Sequence, residues 1–318
     1  MGKPDTATRE YINDSQIFAD VFNYYAFGGR KVVEPDKLEE LDTSALLTVF
    51  GKDGDEETIQ RYRDALKIAT LRTDDNAAYV IFGIEAQTHI DYGMPIRTFL
   101  YDGLQYDSQA RKIKTAHMDT GDKYSKDEFV SGLYKDDGIL PVIMVVIYFG
   151  AKPWDGATRL RDLYKCKYKE LLDLAPDYNM HLIEPARMTD EDFEKFSTSM
   201  GKVLKFMKLS SDKDGMRKLM ETDDAYKSMD RKAVRALKEC ANISIDIDSN
   251  EEVVDMCKAW SDAQEDAARR AARTASILAT VKTARKYGAT DEVIFSDIIT
   301  QFDLTEKEAR EYLLKESA

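Results

Sequence analysis

The chain has 318 residues, of which 43% are hydrophobic and 33% are charged, a size that suits one larger domain and a smaller one. No stretch approaches the about 18 apolar residues that a membrane helix needs, so a membrane partner is not expected. The net charge of −13 argues against a protein that coats nucleic acid through basic residues, but not against an enzyme that reaches phosphate through a divalent cation.

The first part of the sequence predicts a helix and then three strands. Apolar side chains at helical spacing predict a helix over residues 8–27, which Gly28 ends. Short apolar segments predict strands at 45–50, 62–68 and 79–87, and a polar turn joins the last two.

The next elements complete an alternating pattern. A helix is expected to begin near Met94, with Pro95 in its first turn, and to run to about Gln109. A strongly apolar run over 138–149 predicts another strand. Strands mixed with helices in this order predict an α/β fold with a mixed sheet flanked by helices.

The remainder of the chain is predicted to be mostly helical. Helical spacing is found at 197–207, 216–221, 230–239 and 251–272. Near the end, Gly288 is expected to stop one helix, Thr290 to start the next, and Thr305 with Glu308 to form a capping box. The predicted domains are a core over 1–190, a helical extension over 191–262 and a small helical tail over 263–318.

One carboxylate stands out because its surroundings are apolar. The segment 79–87 indicates a central strand covered on both faces, yet it contains Glu85 and Gln87. A buried carboxylate costs several kcal/mol unless it is paired, hydrogen-bonded or bound to a cation. Strand alternation puts Glu85 and Gln87 on one face with Gly83, whose missing side chain would leave room for an ion and its water. Asp64 lies one hairpin earlier, and antiparallel pairing would bring it to the same end of the sheet.

Five segments in a fixed order resemble a known nuclease family. They are Phe18-Ala19-Asp20-Val21-Phe22-Asn23, Arg61-Tyr62-Arg63-Asp64, Gly83-Ile84-Glu85-Ala86-Gln87, Tyr92-Gly93-Met94-Pro95-Ile96-Arg97, and Tyr148-Phe149-Gly150 with Trp154. This order is similar to the PD-(D/E)XK nuclease superfamily, and more narrowly to the bacterial recombination-promoting nuclease/transposase-like family, whose motif ends in Glu-x-Gln. The resemblance covers most of the chain, with about 210–260 matched least. It implies a restriction-endonuclease-like core followed by an all-α C-terminal region.

The resemblance also implies an activity. The family hydrolyses phosphodiester bonds in DNA and is linked to recombination or mobile elements. Asp64 and Glu85 would supply the carboxylates that Mg²⁺ takes from a protein, the backbone carbonyl of Ala86 would be a further ligand, and Mn²⁺ would be a substitute. Gln87 stands where the wider superfamily has lysine and can only orient water by hydrogen bonds, which predicts slow or condition-dependent cleavage.

Several further residues are candidates around this site. Asp20, on the first helix, is a candidate third acid for a second metal ion or its water, and Asn23 lies one turn later; the alternative is a solvated helix face. Arg97 and Tyr101 are four residues apart, share one helix face, and are predicted to contact phosphate unless they only pack along the sheet. His89 is predicted to meet the phosphate as an acid for the leaving group, against a structural or merely exposed histidine.

Alternatives remain open for the site and for the whole chain. Asp64 and Glu85 could instead form a buried ion pair with Arg61, Arg63 or Lys67. The chain could be a catalytically weak or inactive nuclease-fold protein that acts as a DNA- or protein-binding regulator. A third alternative is a helical protein-interaction scaffold with an incidental α/β domain.

Partners and compartment follow from coarser features. DNA is the predicted partner, and a homodimer stays open because nucleases that cut both strands often pair their sites. Cys166, Cys240 and Cys257 are odd in number and widely separated, with no CxxC pair and no zinc spacing. The first residues contain no apolar segment typical of a secretory signal. A reduced, cytoplasmic protein is therefore expected.

Overall fold

The computed structural model describes residues 6–41, 65–73, 76–120, 125–243, 245, 247 and 251–315. The chain divides into two compact units, one formed by Met1–Ile243 with Ile247–Met256 and the other by Ser244–Asp246 with Cys257–Ala318. The predicted helical extension at 191–262 therefore lies largely within the first unit, and the predicted tail at 263–318 lies within the second.

The first unit contains the strands and most of the helices. Its helices are α1 (Thr6–Asn13), α2 (Ser15–Phe27), α3 (Met94–Thr120), α4 (Lys126–Ser131), α5 (Lys169–Leu172), α6 (Asp190–Glu194), α7 (Met200–Leu209), α8 (Lys213–Thr222) and α9 (Arg231–Cys240). Its strands are β1 (Leu38–Glu40), β2 (Ala65–Thr73), β3 (Asn76–Gln87), β4 (Val142–Tyr148), β5 (His181–Ile183), β6 (Met229–Asp230) and β7 (Val253–Val254). The helix α10 begins at Met256 and runs to Lys286, and α11 (Asp291–Phe302) and α12 (Glu306–Lys315) follow it.

A five-stranded mixed sheet organises the first unit. The strand order is β1-β2-β3-β4-β5, with antiparallel pairing from β1 to β3 and parallel pairing from β3 to β5. The strand β3 is central, as predicted, and the predicted α/β class with a mixed sheet flanked by helices is confirmed. The short strands β6 and β7 form a separate antiparallel pair.

Helices cover both faces of this sheet. On one face, Phe22 of α2 stacks on Phe82 of β3 with ring centroids 4.0 Å apart. On the other face, Met94 of α3 packs in a buried cluster with Val146 and Tyr148 of β4. The burial of β3 between two helical layers explains why its sequence is apolar on both faces.

The prediction of one helix over residues 8–27 is wrong. The chain breaks at Asp14, whose backbone takes φ −58° and ψ 125° and whose side chain accepts a hydrogen bond from the Gln16 backbone N–H at 3.0 Å. Asp14 thereby caps α2 and separates it from α1. Apolar spacing continues across the break, so periodicity alone did not reveal it.

The other predicted boundaries are partly confirmed. The strand β3 and its antiparallel hairpin with β2 agree with prediction, although β2 runs to Thr73, beyond the predicted end at 68, and the first part of the predicted 62–68 lies outside the described residues. The predicted strand at 45–50 lies outside the described residues, and the three-residue β1 was not predicted. The helix α3 begins at Met94 as predicted but continues to Thr120, well beyond Gln109.

The second unit is a small helical bundle, and its helices end and begin at the predicted residues. Gly288 adopts a positive φ of 85° after α10, and the Thr305 backbone N–H donates to Glu308 at 2.9 Å as the first half of the capping box. Val281, Ile294, Ile298 and Ala309 form its buried core. Of the helices that the structure describes in either unit, none combines the length and apolar character of a membrane span.

Candidate functional site

The candidate site lies at the carboxyl end of β3. Glu85 and Gln87 point to the face covered by α3, because they alternate with Phe82 and Ile84, whose face is covered by α2. In the parallel pairing with β4, Glu85 lies beside Val146 and Gln87 beside Tyr148. The polar end of β3 is therefore set among apolar neighbours, as the sequence predicted.

The expected space at Gly83 is filled. A Cβ at Gly83 would stand 2.0 Å from the sulfur of Met144 and 3.2 Å from a methyl group of Leu66. The prediction that Gly83 leaves room for an ion and its water is thus wrong, because a side chain of β4 occupies that room. Gly83 is required there for close packing between neighbouring strands.

Glu85 is buried and held by two side chains. It is 1% exposed, and its Oε1 accepts a hydrogen bond from Arg97 Nη2 at 2.6 Å and another from Gln87 Nε2 at 2.9 Å. A charge-assisted bond of this length offsets much of the desolvation of a buried carboxylate. The ion-pair alternative is thus partly realised, but with a partner that was not predicted. Lys67 faces the other side of the sheet, and Arg61 and Arg63 lie outside the described residues.

Arg97 also binds a second acid. Its Nη1 lies 2.6 Å from Oδ2 of Asp91, while the other oxygen of Asp91 accepts the Gly93 backbone N–H at 2.8 Å. The backbone carbonyl of Asp91 also accepts the Met94 N–H at 3.1 Å, so this residue shapes the entry into α3. The guanidinium therefore joins the buried Glu85 to the partly exposed Asp91.

Asp91 is the site residue that sequence reasoning missed. An Asp two residues before a glycine, with a helix start directly after it, is a sequence signal for a side-chain turn of this kind. That signal predicts the turn but not the arginine that Asp91 holds.

The remaining candidates on this face take different positions. Tyr101 is 2% exposed, so its side chain presents almost no surface to a phosphate. His89 is exposed and its Nδ1 lies 2.9 Å from the Thr88 hydroxyl. Ala86 lies in β3 beside Ile147 of β4, and its side chain faces away from Glu85.

Asp20 is not brought to Glu85. It is 3% exposed on α2, and its two oxygens accept from the backbone N–H and hydroxyl of Ser197 and of Thr198 at 2.6–2.9 Å. These bonds fix the segment just before α7. Asn23, one turn later on α2, also binds backbone, because its side chain accepts the Val33 N–H at 2.7 Å. The contacts give both side chains a role in holding the fold.

Two aromatic residues pack together at the Gln87 end of the site. Tyr148 and Trp154 are both buried and meet edge to face with centroids 5.2 Å apart. Burial raises the pKa of the Tyr148 phenol, and the nearby carboxylates of Glu184 and Asp155 raise it further. The phenol is therefore protonated at neutral pH, and the negative charge near this end of the site comes from Glu184 and Asp155.

The oxygen atoms that this site offers are of the kind that bind a divalent cation such as Mg²⁺. The carboxylate of Glu85 and the amide of Gln87 carry the hard oxygen atoms that Mg²⁺ takes, and Glu85 already has a cationic group against it. Asp64, the predicted second carboxylate, lies outside the described residues. Within the described part of the chain, no group of three or more His, Cys, Asp or Glu side chains is close enough to hold a metal ion.

Comparison of this chain with protein-family models, with curated proteins and with solved structures finds no match.

Proposed function

We propose that this chain is a metal-dependent DNA endonuclease of the PD-(D/E)XK type, acting in the cytoplasm in recombination or on mobile elements. The observation that carries the proposal is the place of Glu85 and Gln87 at the end of the central strand. That strand pairs antiparallel with β2 and parallel with β4, and α3 is part of the crossover connection that leads from β3 to β4. The sequence resemblance predicts a Glu-x-Gln motif on such a strand.

The proposed roles follow from the chemistry of each residue. Asp64 and Glu85, with the carbonyl of Ala86, would hold Mg²⁺ or Mn²⁺. The chemistry that such a cation supplies is charge neutralisation on the phosphate and a lower pKa for the attacking water. Gln87 would orient that water through hydrogen bonds, and Arg97 would contact a phosphate.

The Glu85–Gln87 contact supports the expectation of slow cleavage. The Gln87 amide donates an N–H to Glu85 at 2.9 Å, which orients the carboxylate but adds no positive charge to the site. Lysine at this position could both neutralise phosphate and take a proton, whereas glutamine can do neither. Activation of water would therefore depend on the cation almost alone.

A second candidate function has its own observation. The 2.6 Å contact between Arg97 and Glu85 neutralises the carboxylate with a group of the protein itself. A nuclease-fold protein that binds DNA or another protein without useful catalysis would not need a cation at Glu85, because Arg97 already compensates the charge of this carboxylate. The net charge of −13 favours this alternative in the case of a protein partner.

Plasmid cleavage separates the two candidates. Supercoiled plasmid is incubated with the parent protein in Mg²⁺, in Mn²⁺ and in EDTA, and nicked and linear products are measured over time. The nuclease proposal predicts nicking that requires the cation and disappears in both Asp64→Ala and Glu85→Ala. The matched control Glu34→Ala, at an exposed acid, should cleave like the parent.

The opposing outcomes are equally defined. Equal cleavage by the parent, Asp64→Ala and Glu85→Ala would remove both acids from the mechanism. DNA binding without cleavage under any of the three conditions would favour the second candidate. Circular dichroism and thermal unfolding of each variant establish that it is folded at the assay temperature.

A further inference from the structure

Arg97 connects the inside of the candidate site to its outside. Glu85 is 1% exposed, Arg97 is 17% exposed and Asp91 is 35% exposed, and the guanidinium makes a 2.6 Å contact with each acid. One nitrogen thus lies at the buried carboxylate while the other is held by an acid near the surface.

The guanidinium and a divalent cation would compete for the same carboxylate group. Arg97 Nη2 is 2.6 Å from Oε1 of Glu85, and a Mg²⁺–oxygen ligand distance is about 2.0–2.1 Å. Two cationic groups this close to one carboxylate oxygen repel each other strongly in a poorly hydrated site. A cation on either oxygen of Glu85 is therefore bound more weakly for as long as Arg97 keeps this contact.

Leaving Glu85 is costly for Arg97 unless another anion receives it. A largely buried charge that loses its partner is left uncompensated in a poorly hydrated site. The planar guanidinium suits a phosphate as well as it suits a carboxylate, because both accept paired N–H groups. Asp91 can keep Nη1 while Nη2 changes partner, so a rotation of the side chain is enough.

We propose that Arg97 is a positioning residue that exchanges Glu85 for a DNA phosphate and thereby couples DNA binding to cation binding. The inference rests on the proposed function and adds its regulation. Without DNA, the guanidinium occupies Glu85 and keeps cation affinity low. With DNA bound, the guanidinium turns to phosphate and leaves the carboxylate to the cation.

The coupling has a required sign and a typical size. Because linkage is reciprocal, DNA must raise cation affinity by the same factor by which the cation raises DNA affinity. Coupling factors of this kind are about 5–150-fold. Removing the guanidinium should abolish the coupling and move the two separate affinities in opposite directions.

Arg97→Gln tests the exchange without any cleavage assay. Mn²⁺ affinity is measured without DNA by electron paramagnetic resonance of the free ion, and duplex affinity is measured in EDTA by fluorescence anisotropy. The variant should bind Mn²⁺ at least about fivefold more tightly than the parent. It should bind the duplex about tenfold more weakly, because it loses a charged phosphate contact.

Two further variants control for the loss of an arginine. Arg111→Gln removes an exposed arginine from the same helix, where it pairs with Asp107 at 2.7 Å, and should change neither affinity by more than about twofold. Arg97→Lys keeps the positive charge that attracts a phosphate, so it should restore most of the duplex affinity even though an ammonium cannot bridge two anions with a planar group. Circular dichroism and thermal unfolding of Arg97→Gln establish that it is folded at the assay temperature.

The outcomes distinguish this inference from the proposed function. Unchanged or weaker Mn²⁺ binding by Arg97→Gln, with binding by the parent intact, overturns the exchange and leaves the nuclease proposal standing. Absence of Mn²⁺ binding by the parent, with and without the duplex, overturns both. Weaker binding of both ligands by the variant assigns Arg97 a structural role instead.

Discussion

Among the described strand residues of the five-stranded sheet, Lys67 is a buried charged side chain on one face and Glu85 on the other, and they are held in different ways. Lys67 of β2 is 1% exposed on the face covered by α1 and α2, where its ammonium donates to the Asn13 carbonyl at 2.7 Å and to the Ser15 hydroxyl at 3.1 Å. Glu85 of β3 is equally buried on the face covered by α3, where the side chains of Arg97 and Gln87 donate hydrogen bonds to it.

The difference shows which buried charge can change partner. Asn13 is the last residue of α1, so Lys67 bonds backbone that cannot move unless the helix moves. Asp20 is likewise fixed, because it accepts two backbone N–H groups. Arg97 reaches Glu85 through a long flexible side chain that also has a surface partner. Lys67 also has a surface carboxylate, that of Glu40, 3.6 Å away, but its hydrogen bonds go to the junction of α1 and α2. The proposed change of partner therefore concerns Glu85 and Arg97.

The largest expected contrast is in cleavage. Glu85→Gln keeps the size of the side chain but removes its charge, and should reduce plasmid nicking by about 100-fold or more. Lys67→Met removes the buried charge of the opposite face and should leave nicking within about twofold, as expected for independent sites. Initial rates measured below the unfolding temperature of each variant give this comparison. Similar losses in both variants would mean that the two faces act as one unit.

Asp20 should show the largest effect on stability. Asp20→Ala removes the buried acceptor of two partly buried backbone N–H groups and two hydroxyls, and should lower the free energy of unfolding by about 3 kcal/mol. The measurement is urea unfolding followed by circular dichroism, with the exposed Asp36→Ala as the control. Mn²⁺ affinity should not change, and a clear loss of Mn²⁺ affinity in folded Asp20→Ala would restore Asp20 to the cation site.

Lys67 should show a smaller effect on stability. Lys67→Met leaves the Asn13 carbonyl without this donor but also removes the desolvation of a buried ammonium, so the net loss should be about 1–3 kcal/mol. Lys31→Met, at an exposed position, is the matched control in the same unfolding measurement. Unchanged stability would show that Lys67 does not anchor the junction of α1 and α2.

The smallest expected effect is a pH dependence at the edge of the sheet. Burial lowers the pKa of His181 in β5 below 6.5, and its Nδ1 lies 3.1 Å from the Tyr25 hydroxyl. Because the folded pKa is below the unfolded one, the unfolded chain binds the extra proton first. The resulting stability is complete above about pH 6.5 and is lost as the pH falls toward the folded pKa. The unfolding temperature should therefore drop less steeply with acidification in His181→Gln than in the parent, and the exposed His89→Gln should follow the parent. Equal slopes in all three proteins would rule out His181 as the source.

Local patterns predicted much of the fold. Alternation and apolar content located β3 and β4, and proline and capping residues located the starts of α3 and α12. The break at Asp14 was missed because a short polar side chain can end a helix without interrupting its apolar spacing.

The sequence predicted which face of β3 the two candidate residues occupy but not the contacts that they make. Alternation placed Glu85 and Gln87 on one face, since period two is a local property. The filling of the space at Gly83 depends on the register between β3 and β4, which are more than fifty residues apart in the sequence. The Arg97–Glu85 pair depends on the turn that Asp91 makes between them. Both are tertiary features that no local pattern specifies.

A change of metal preference tests most directly whether Glu85 binds the catalytic cation. Glu85→Cys replaces a hard oxygen ligand with a soft thiolate, which disfavours Mg²⁺ and favours Cd²⁺. Plasmid nicking by the parent and by the variant is measured in each ion, and the parent's own three cysteines are common to both proteins. The account predicts that the ratio of the Cd²⁺ rate to the Mg²⁺ rate rises at least about tenfold in Glu85→Cys. An unchanged ratio, with nicking reduced equally in both ions, would contradict the assignment of Glu85 as a metal ligand.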